Sequence, residues 1–124
     1  MNARDILGGL AAATSRGDLA AIDALGSNER LNESFRRLTT AFPDVHVELE
    51  WTVEEGARVV GWAHITGTHG GVWRDLQPAH RPIDVHGMIA LELTDDGAVK
   101  DFWLVNDWLG IATQLGVRLE LPAR

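Results

Sequence analysis

Asp107 is the acid in this sequence whose surroundings best suit proton transfer. It lies in the segment Phe102–Leu109, whose members are all aromatic or aliphatic except Asn106 and Asp107 itself. Strand alternation places Trp103, Val105 and Asp107 on one face. A carboxyl group among apolar side chains has its charged form disfavoured by desolvation, which suits a general acid or base. The alternative is that Asp107 caps a following helical turn by accepting a backbone N–H.

The histidines are the next residues that could do chemistry, and there are five: His46, His64, His69, His80 and His86. A metal site needs two or three of them on one surface. His64 and His86 could meet across neighbouring strands, but the others could not join them, so we expect no metal site. His86 could instead partner Asp107. It lies opposite Asp107 if the last hairpin has the two-residue loop Asp96-Gly97, whereas a three-residue loop with a bulge places Val85 there.

Several other kinds of chemistry are excluded by composition and motif. The chain has no cysteine, which excludes a disulfide framework, a thiolate zinc site and a cysteine nucleophile. It has no glycine-rich nucleotide loop and no His-Glu-x-x-His pair. Ser15, Ser27 and Ser34 lie in or beside helical segments, so we expect no hydrolytic triad.

Charge and hydropathy limit the partners and the location. Lys and Arg number 11 against 18 Asp and Glu, a net charge of −7 that disfavours nucleic acid and anionic membranes. The chain has no apolar run long enough to span a bilayer and no signal-peptide pattern at its start. We therefore expect a cytoplasmic protein that binds neither nucleic acid nor membrane.

Periodicity predicts a single α+β domain over residues 1–124. Helical spacing of apolar residues covers about 2–42, strand patterns cover about 45–107, and a short terminal helix covers about 108–115. In the first strand, alternation puts Val45, Val47, Leu49, Trp51 and Val53 on one face. Helices first and strands afterwards predict an antiparallel sheet, not a parallel one.

The connection from Gly70 to Pro82 is the one segment that does not fit a compact scaffold. Long connections without regular structure often form lids or binding loops. This one contains Trp73 together with Arg74, His80 and Arg81. Trp73 either covers an apolar site or simply anchors the loop to the core.

Several of these segments, in their order and spacing, resemble the SnoaL-like polyketide cyclases of the nuclear transport factor 2-like superfamily. The similarity covers about 41–116 in register and the preceding helices more loosely. The residues that carry it are Ala41–Glu48, Gly67–Gly71, Pro78-x-x-Arg81-Pro82, Asp95-Asp96-Gly97, Trp103-x-x-x-Asp107 and Leu109–Gly116.

The resemblance implies a cone-shaped barrel of helices packed on a curved antiparallel sheet around a deep apolar pocket. In cyclase members, an Asp at the position of Asp107 is the acid/base of an intramolecular aldol ring closure that needs no metal or organic cofactor. His86 or His64 would orient an oxygen or share the proton. Flat and apolar walls of the pocket would come from Trp62, Trp73, Trp103, Val105 and Met88.

The sequence departs from relatives at three places. Relatives commonly have a strand between the second and third helices, whereas Leu25–Glu29 passes almost directly from helix to helix. An uncovered sheet edge or a more open pocket would follow, and a partner copy in a homodimer could cover it. Phe102 and Leu104 stand where relatives often have a histidine and an acid.

Two main hypotheses follow. The first is a cofactor-independent cyclase that closes a ring in a polyketide-like polycarbonyl substrate through Asp107. The second is a module of the same fold that binds an apolar small molecule or serves as a dimeric accessory protein without turnover. A related hydroxylase, dehydratase or epoxide-opening enzyme is a third, weaker hypothesis.

Overall fold

Three helices lead into four strands, and a short helix follows them. The computed structural model describes residues 1–122. The elements are α1 (Ala3–Arg16), α2 (Leu19–Gly26), α3 (Glu29–Ala41), β1 (His46–Glu55), β2 (Arg58–Thr68), β3 (Pro82–Leu93), β4 (Val99–Asn106) and α4 (Trp108–Gln114). The predicted α+β class with an antiparallel sheet is confirmed. Among the described helices, none has the length and apolar character needed to cross a bilayer.

Asparagine and aspartate side chains fix the starts of the first three helices. The Asn2 side chain accepts the backbone N–H of Asp5 at 2.8 Å, and the Asp5 carboxylate accepts that of Asn2 at 3.2 Å, which forms a capping box. Asp18 and Asn28 cap α2 and α3 by accepting the backbone N–H of Ala21 and of Leu31. Gly17 ends α1 at a φ of 68°, which glycine adopts without strain. No strand separates α2 from α3, as the sequence predicts.

The sheet has the order β1-β2-β3-β4, is open, and turns one face toward the helices. We call this the inner face and the opposite one the outer face. In β2 and β3 the inner face consists of alternate apolar residues that are almost fully buried: Val59, Ala63, Ile65, Ile83, Val85, Ile89 and Leu91. Leu7 of α1 packs so closely on the sheet that a Cβ at Gly61 would lie 2.8 Å from its Cδ2 and displace that side chain.

A β-bulge in β1 reverses the faces that alternation predicts beyond Leu49. The pairing with β2 shifts by one residue between Leu49 and Trp51, which makes Glu50 an extra residue. Such a shift moves all following side chains to the opposite face. Trp51 and Val53 therefore lie on the outer face, 47% and 61% exposed. The prediction that they share a face with Leu49 is wrong.

The β3–β4 hairpin combines the two registers considered from the sequence. Its loop has three residues, between Thr94 and Ala98, which are joined by a 2.7 Å backbone hydrogen bond. The pairing shifts by one residue between Glu92 and Leu93, next to the loop. Beyond this shift the strands pair as they would with a two-residue loop, and the last pair is Gly87 and Asn106. The position opposite His86 lies just past the end of β4, where no strand pairing forms.

The corner between α3 and β1 is tied to the end of β2 by hydrogen bonds. Asp44 Oδ1 accepts the backbone N–H of Thr68 at 2.6 Å. This hydrogen bond is the main reason why the pKa of the Asp44 carboxyl lies below its ordinary value. The N–H groups of Gly70 and Gly71 donate to the Ala41 carbonyl at 3.0 and 3.1 Å. The loop that follows β2 is therefore anchored on the end of α3.

We predict that the Asp44 bond contributes to stability at neutral pH and is lost in acid. Because the native pKa is lowered, the contribution is present above the ordinary value of 3.8 and disappears as the pH falls through the native pKa. Asp44→Asn should lower the urea midpoint at neutral pH. Between about pH 5 and about pH 2 the midpoint of the variant should decrease less than that of the wild type. Tryptophan fluorescence follows the unfolding.

Glu55→Gln is the matched control, since it removes an exposed carboxyl that no described residue hydrogen-bonds. The control should follow the wild-type curve. If Asp44→Asn also follows it at every pH, the Asp44 bond contributes nothing to the native state.

Candidate functional site

A cleft of about 1350 Å³ separates α3 from the inner face of the sheet. It forms because α3 packs on α2 instead of closing onto the strands. The edge strand β4 contributes consecutive residues to its rim. The apolar lining comes from the sheet (Val47, Ile65, Ile89 and Leu104), from α3 (Phe35 and Leu38), and from Trp73, Trp108 and Ile111 at one end. Size and lining suit an apolar ligand of drug-like size or larger.

Asn106 is the polar side chain that β4 turns toward the cleft. It pairs with Gly87 on the inner face, and its amide oxygen occupies the space that a Cβ at Gly87 would fill. Within residues 1–122, no hydrogen bond engages the Asn106 amide. This amide can therefore donate to a ligand carbonyl, because it is not committed to the fold.

Sequence reasoning missed Asn106 because it chose the wrong face of β4. The residues that face inward are Phe102, Leu104 and Asn106. Trp103 and Val105 face outward, 46% and 68% exposed, and border the cleft only along the strand edge. The neighbouring strand β3 indicates the correct face. Its apolar residues Ile89 and Leu91 pair with Leu104 and Phe102, which face inward.

Asp107 is the N-cap of α4. Its Oδ1 accepts the backbone N–H of Gly110 at 2.7 Å, which is the capping geometry that the sequence allowed as an alternative. The residue is exposed, and the neighbours Asn106 and Trp108 both line the cleft. Asp107 therefore lies at the border of the cleft with one carboxylate oxygen engaged. It forms no hydrogen bond with His86.

Gln114 holds α4 in place beyond the end of β4. The backbone N–H of Asp84 donates to Gln114 Oε1 at 2.7 Å, and Gln114 Nε2 donates to the Asp84 carbonyl at 3.0 Å. The side-chain amide thus pairs with β3 much as a strand residue would. This docking fixes Trp108 and Ile111, which close one end of the cleft.

The loop between β2 and β3 supplies the wall next to α4. The Trp73 and Trp108 rings stack with centroids 5.8 Å apart, and the Arg74 guanidinium lies 3.5 Å from the centroid of the Trp108 ring. Trp73 is half-buried and lines the cleft. It also packs against the buried core, so it occupies both of the positions considered from the sequence.

His69 anchors this loop at its base. It is fully buried, and its Nδ1 accepts the backbone N–H of Ala79 at 3.0 Å. Backbone hydrogen bonds join His69 to Arg81 and to His80, both at 3.0 Å. The Nε2 atom is buried and has no partner among the described residues. His69 thus serves loop geometry and does not line the cleft.

Four of the side chains expected as site residues lie on the outer face, away from the cleft. Trp62 pairs with Met88, and His64 pairs with His86. These are even-numbered positions of β2 and β3, whereas the inner face takes the odd-numbered ones. The two histidines meet, as the sequence predicts. Trp62 and Met88 do not line the cleft, so the prediction that they form pocket walls is wrong.

The outer-face rings form what we call the aromatic row, Trp51, Trp62, His86 and His64. Their centroids are 6.4, 5.1 and 4.8 Å apart in that order, and each pair is stacked. His86 Nε2 lies 2.8 Å from Glu50 Oε1. The bulge residue Glu50 therefore helps to hold the row.

His64 Nε2 lies 2.6 Å from Asp84 Oδ1 at the end of the aromatic row. This hydrogen bond raises the pKa of His64 above its ordinary value, and partial desolvation opposes the shift. No three histidine, aspartate or glutamate residues in the part of the chain that is described are arranged to hold a metal ion.

Charges along α3 border the cleft on its solvent side. Arg36 lies 2.6 Å from Asp23, 2.7 Å from Glu29 and 3.3 Å from Glu33. The hydrogen bonds to Glu29 and then Glu33 are the largest causes of the raised pKa of Arg36. Because Asp23 belongs to α2, this network joins α3 to α2.

Comparison with solved structures shows the same fold in several bacterial proteins. AclR from Streptomyces galilaeus, provisionally named a hydroxylase, is 23% identical with a TM-score of 0.80, over 96% of this chain and 83% of that one. IdmH from Streptomyces antibioticus, provisionally named a polyketide cyclase, is 21% identical with a TM-score of 0.72, over 92% and 98%. A SnoaL-like polyketide cyclase from Agrobacterium tumefaciens is 15% identical with a TM-score of 0.72, over 94% and 99%.

The family comparison covers most of the chain. No curated protein sequence matches it. The family model of the SnoaL-like polyketide cyclases matches residues 7–115, which include all three structures that border the cleft: α3, the sheet and α4. The chain therefore belongs to the SnoaL-like polyketide cyclase family.

Proposed function

We propose that this protein binds a polyketide-like polycarbonyl molecule in the cleft and catalyses an aldol-type ring closure within it. The observation that carries the proposal is the apolar cleft of about 1350 Å³ between α3 and the sheet. Family membership supports the substrate class. A flexible chain confined in such a cleft brings its reacting carbons together, and this proximity supplies much of the rate enhancement.

Asp107 is the acid/base in this proposal. A carbon between two carbonyls is intrinsically acidic, so one carboxylate can take its proton. The resulting enolate carbon attacks a second carbonyl and forms the C–C bond, and the new alkoxide takes the proton back from Asp107. The available atom is Oδ2, because Oδ1 accepts the Gly110 N–H.

Asn106 has the supporting role of holding a substrate carbonyl. Its amide faces the cleft and is next to Asp107 in the chain. A hydrogen bond from this amide would stabilise negative charge on the carbonyl oxygen as the enolate forms. His64 and His86 lie on the outer face and have no part in this proton transfer.

The second candidate is a binding module without turnover. The observation that favours it is the capping bond of Asp107, which gives the residue a structural role that needs no chemistry. Product analysis with a substrate would also reveal a hydroxylation, dehydration or epoxide opening in place of ring closure.

We predict that Asp107→Asn separates catalysis from capping. Asparagine caps helices as well as aspartate does, so the free energy of unfolding should change little. Turnover of a polycarbonyl substrate should fall by about 100-fold or more, because the amide cannot accept the proton. Asp101→Asn, on the outer side of the same strand, is the control and should keep full activity.

Asp107→Ala tests the cap by itself. It should lower the free energy of unfolding by about 0.5–2 kcal/mol, measured by urea titration. Full turnover by a folded Asp107→Asn variant would rule out Asp107 as the base and leave the binding module.

We also propose that the protein is a homodimer through its outer face. Trp51, Val53, Trp103 and Val105 are each between 46% and 68% exposed there and form what we call the outer apolar patch. Exposed apolar surface of this extent commonly marks an interface. A second copy is the proposed partner, because a symmetric dimer covers the same patch on both chains.

We predict that Val105→Glu disrupts the dimer and leaves the fold intact, since the side chain is 68% exposed. Analytical ultracentrifugation should give about half the wild-type mass. Leu19→Glu is the control, because it places the same charge at an exposed position on α2. A wild-type chain that sediments as a monomer at high concentration would contradict the proposal.

A further inference from the structure

Arginines are concentrated around the cleft of this otherwise acidic chain. Four of the 11 basic residues line it: Arg30, Arg36, Arg37 and Arg74. Arg36 and Arg37 are compensated by acids of the helical region, and both contact Glu33. Arg30 and Arg74 make no ion pair with a described residue. These two carry the positive charge that a ligand in the cleft would meet.

Arg74 is held in a geometry that leaves its hydrogen-bond donors free. Its guanidinium lies 3.5 Å from the centroid of the Trp108 ring and 5.7 Å from that of Trp73. Stacking uses the face of the guanidinium, whereas the N–H donors project from its edge in a planar fork that suits a carboxylate. No described residue accepts a hydrogen bond from these donors. The rings therefore orient the Arg74 guanidinium, and its N–H donors are free to bind a ligand.

Arg30 has less favourable surroundings for an anion. It stacks more loosely, 5.3 Å from the centroid of the Phe102 ring. Glu29 is its neighbour in sequence, and Glu33 follows one turn later on α3, where residues three apart lie on the same face. Both acids line the cleft and are shared with Arg36, whereas Asp75, the acidic neighbour of Arg74, does not line it. The two arginines thus differ in how closely they stack on a ring and in the acids of the cleft beside them.

We infer that the cleft takes a ligand with an anionic group, and that Arg74 binds this group. The apolar body lies between α3 and the sheet, and the anion lies at the Trp73–Trp108 end, where the guanidinium fork meets it. The ligand class is an apolar or aromatic acid, most simply a carboxylic acid. The inference rests on the proposed function only in treating the cleft as the ligand site.

The size of the effect follows from exposure. Arg74 is at the surface, so its contact with the anion is partly screened by water and salt. A single charge-assisted contact of this kind changes affinity by about five- to tenfold. The change should shrink as salt is raised.

Two fluorescent probes test the inference in the full chain without a natural substrate. Anilinonaphthalene sulfonate carries an anionic group, and phenylnaphthylamine has the same ring systems without it. Wild-type protein should bind the sulfonate more tightly. Arg74→Gln should weaken sulfonate binding by about fivefold or more and leave the affinity for the neutral probe within about twofold.

Arg30→Gln is the matched control, since it removes the same charge from the same cleft. It should weaken sulfonate binding by less than about twofold. Ser34→Trp narrows the cleft from α3 and should weaken both probes, which places them there. Equal losses for Arg74→Gln and Arg30→Gln would overturn the inference, as would a loss of the neutral probe in Arg74→Gln or no effect of Ser34→Trp.

The two proposals fail separately in these experiments. Probe affinity requires no turnover, and Asp107→Asn keeps Arg74 and the cleft intact. A protein without cyclase activity can still show the Arg74-dependent preference for the anion. Conversely, loss of that preference leaves the turnover result for Asp107 unaffected.

Discussion

Side chains along a β-strand alternate between faces, so the extra residue Glu50 is enough to turn Trp51 and Val53 away from the helices. The two ends of β1 consequently serve different faces of the sheet. Val47 lines the cleft, and Trp51 starts the aromatic row on the other side. The large aromatic side chains are thereby divided between two surfaces. The inner one borders the cleft, and the outer one carries the surface proposed for the dimer.

The cleft owes its width to what holds α3 away from the sheet. α2 leads directly into α3, and Arg36 ties the two helices together through Asp23. Individual exposed ion pairs contribute little to stability, but a guanidinium shared by three acids restricts where the helix can lie. No described strand covers the edge of β4, so this side of the cleft stays open.

The sequence predicted the elements well because caps and periodicity are local. Asn2, Asp18 and Asn28 each cap a helix within the predicted helical region of about 2–42, and the resemblance predicted the same class of fold. Which face of a strand points inward depends on bulges and on the partner strand, and neither is visible in the alternation of that strand alone. That is why Trp103 and Val105 were assigned to the pocket and Asn106 was overlooked. The histidine pair was found since it needed only the β2–β3 register.

The position of Asp107 links the proposed chemistry to the shape of the cleft. Its Oδ1 accepts the backbone N–H of Gly110, so the carboxylate of the proposed chemistry also anchors the first turn of α4. Trp108 belongs to that turn and forms the cleft wall on which Arg74 stacks. Gln114 still fixes the other end of the helix to β3. The residue proposed as acid/base and the cleft wall beside it therefore depend on the same turn of α4, and a substitution of Asp107 that removes the cap acts on both.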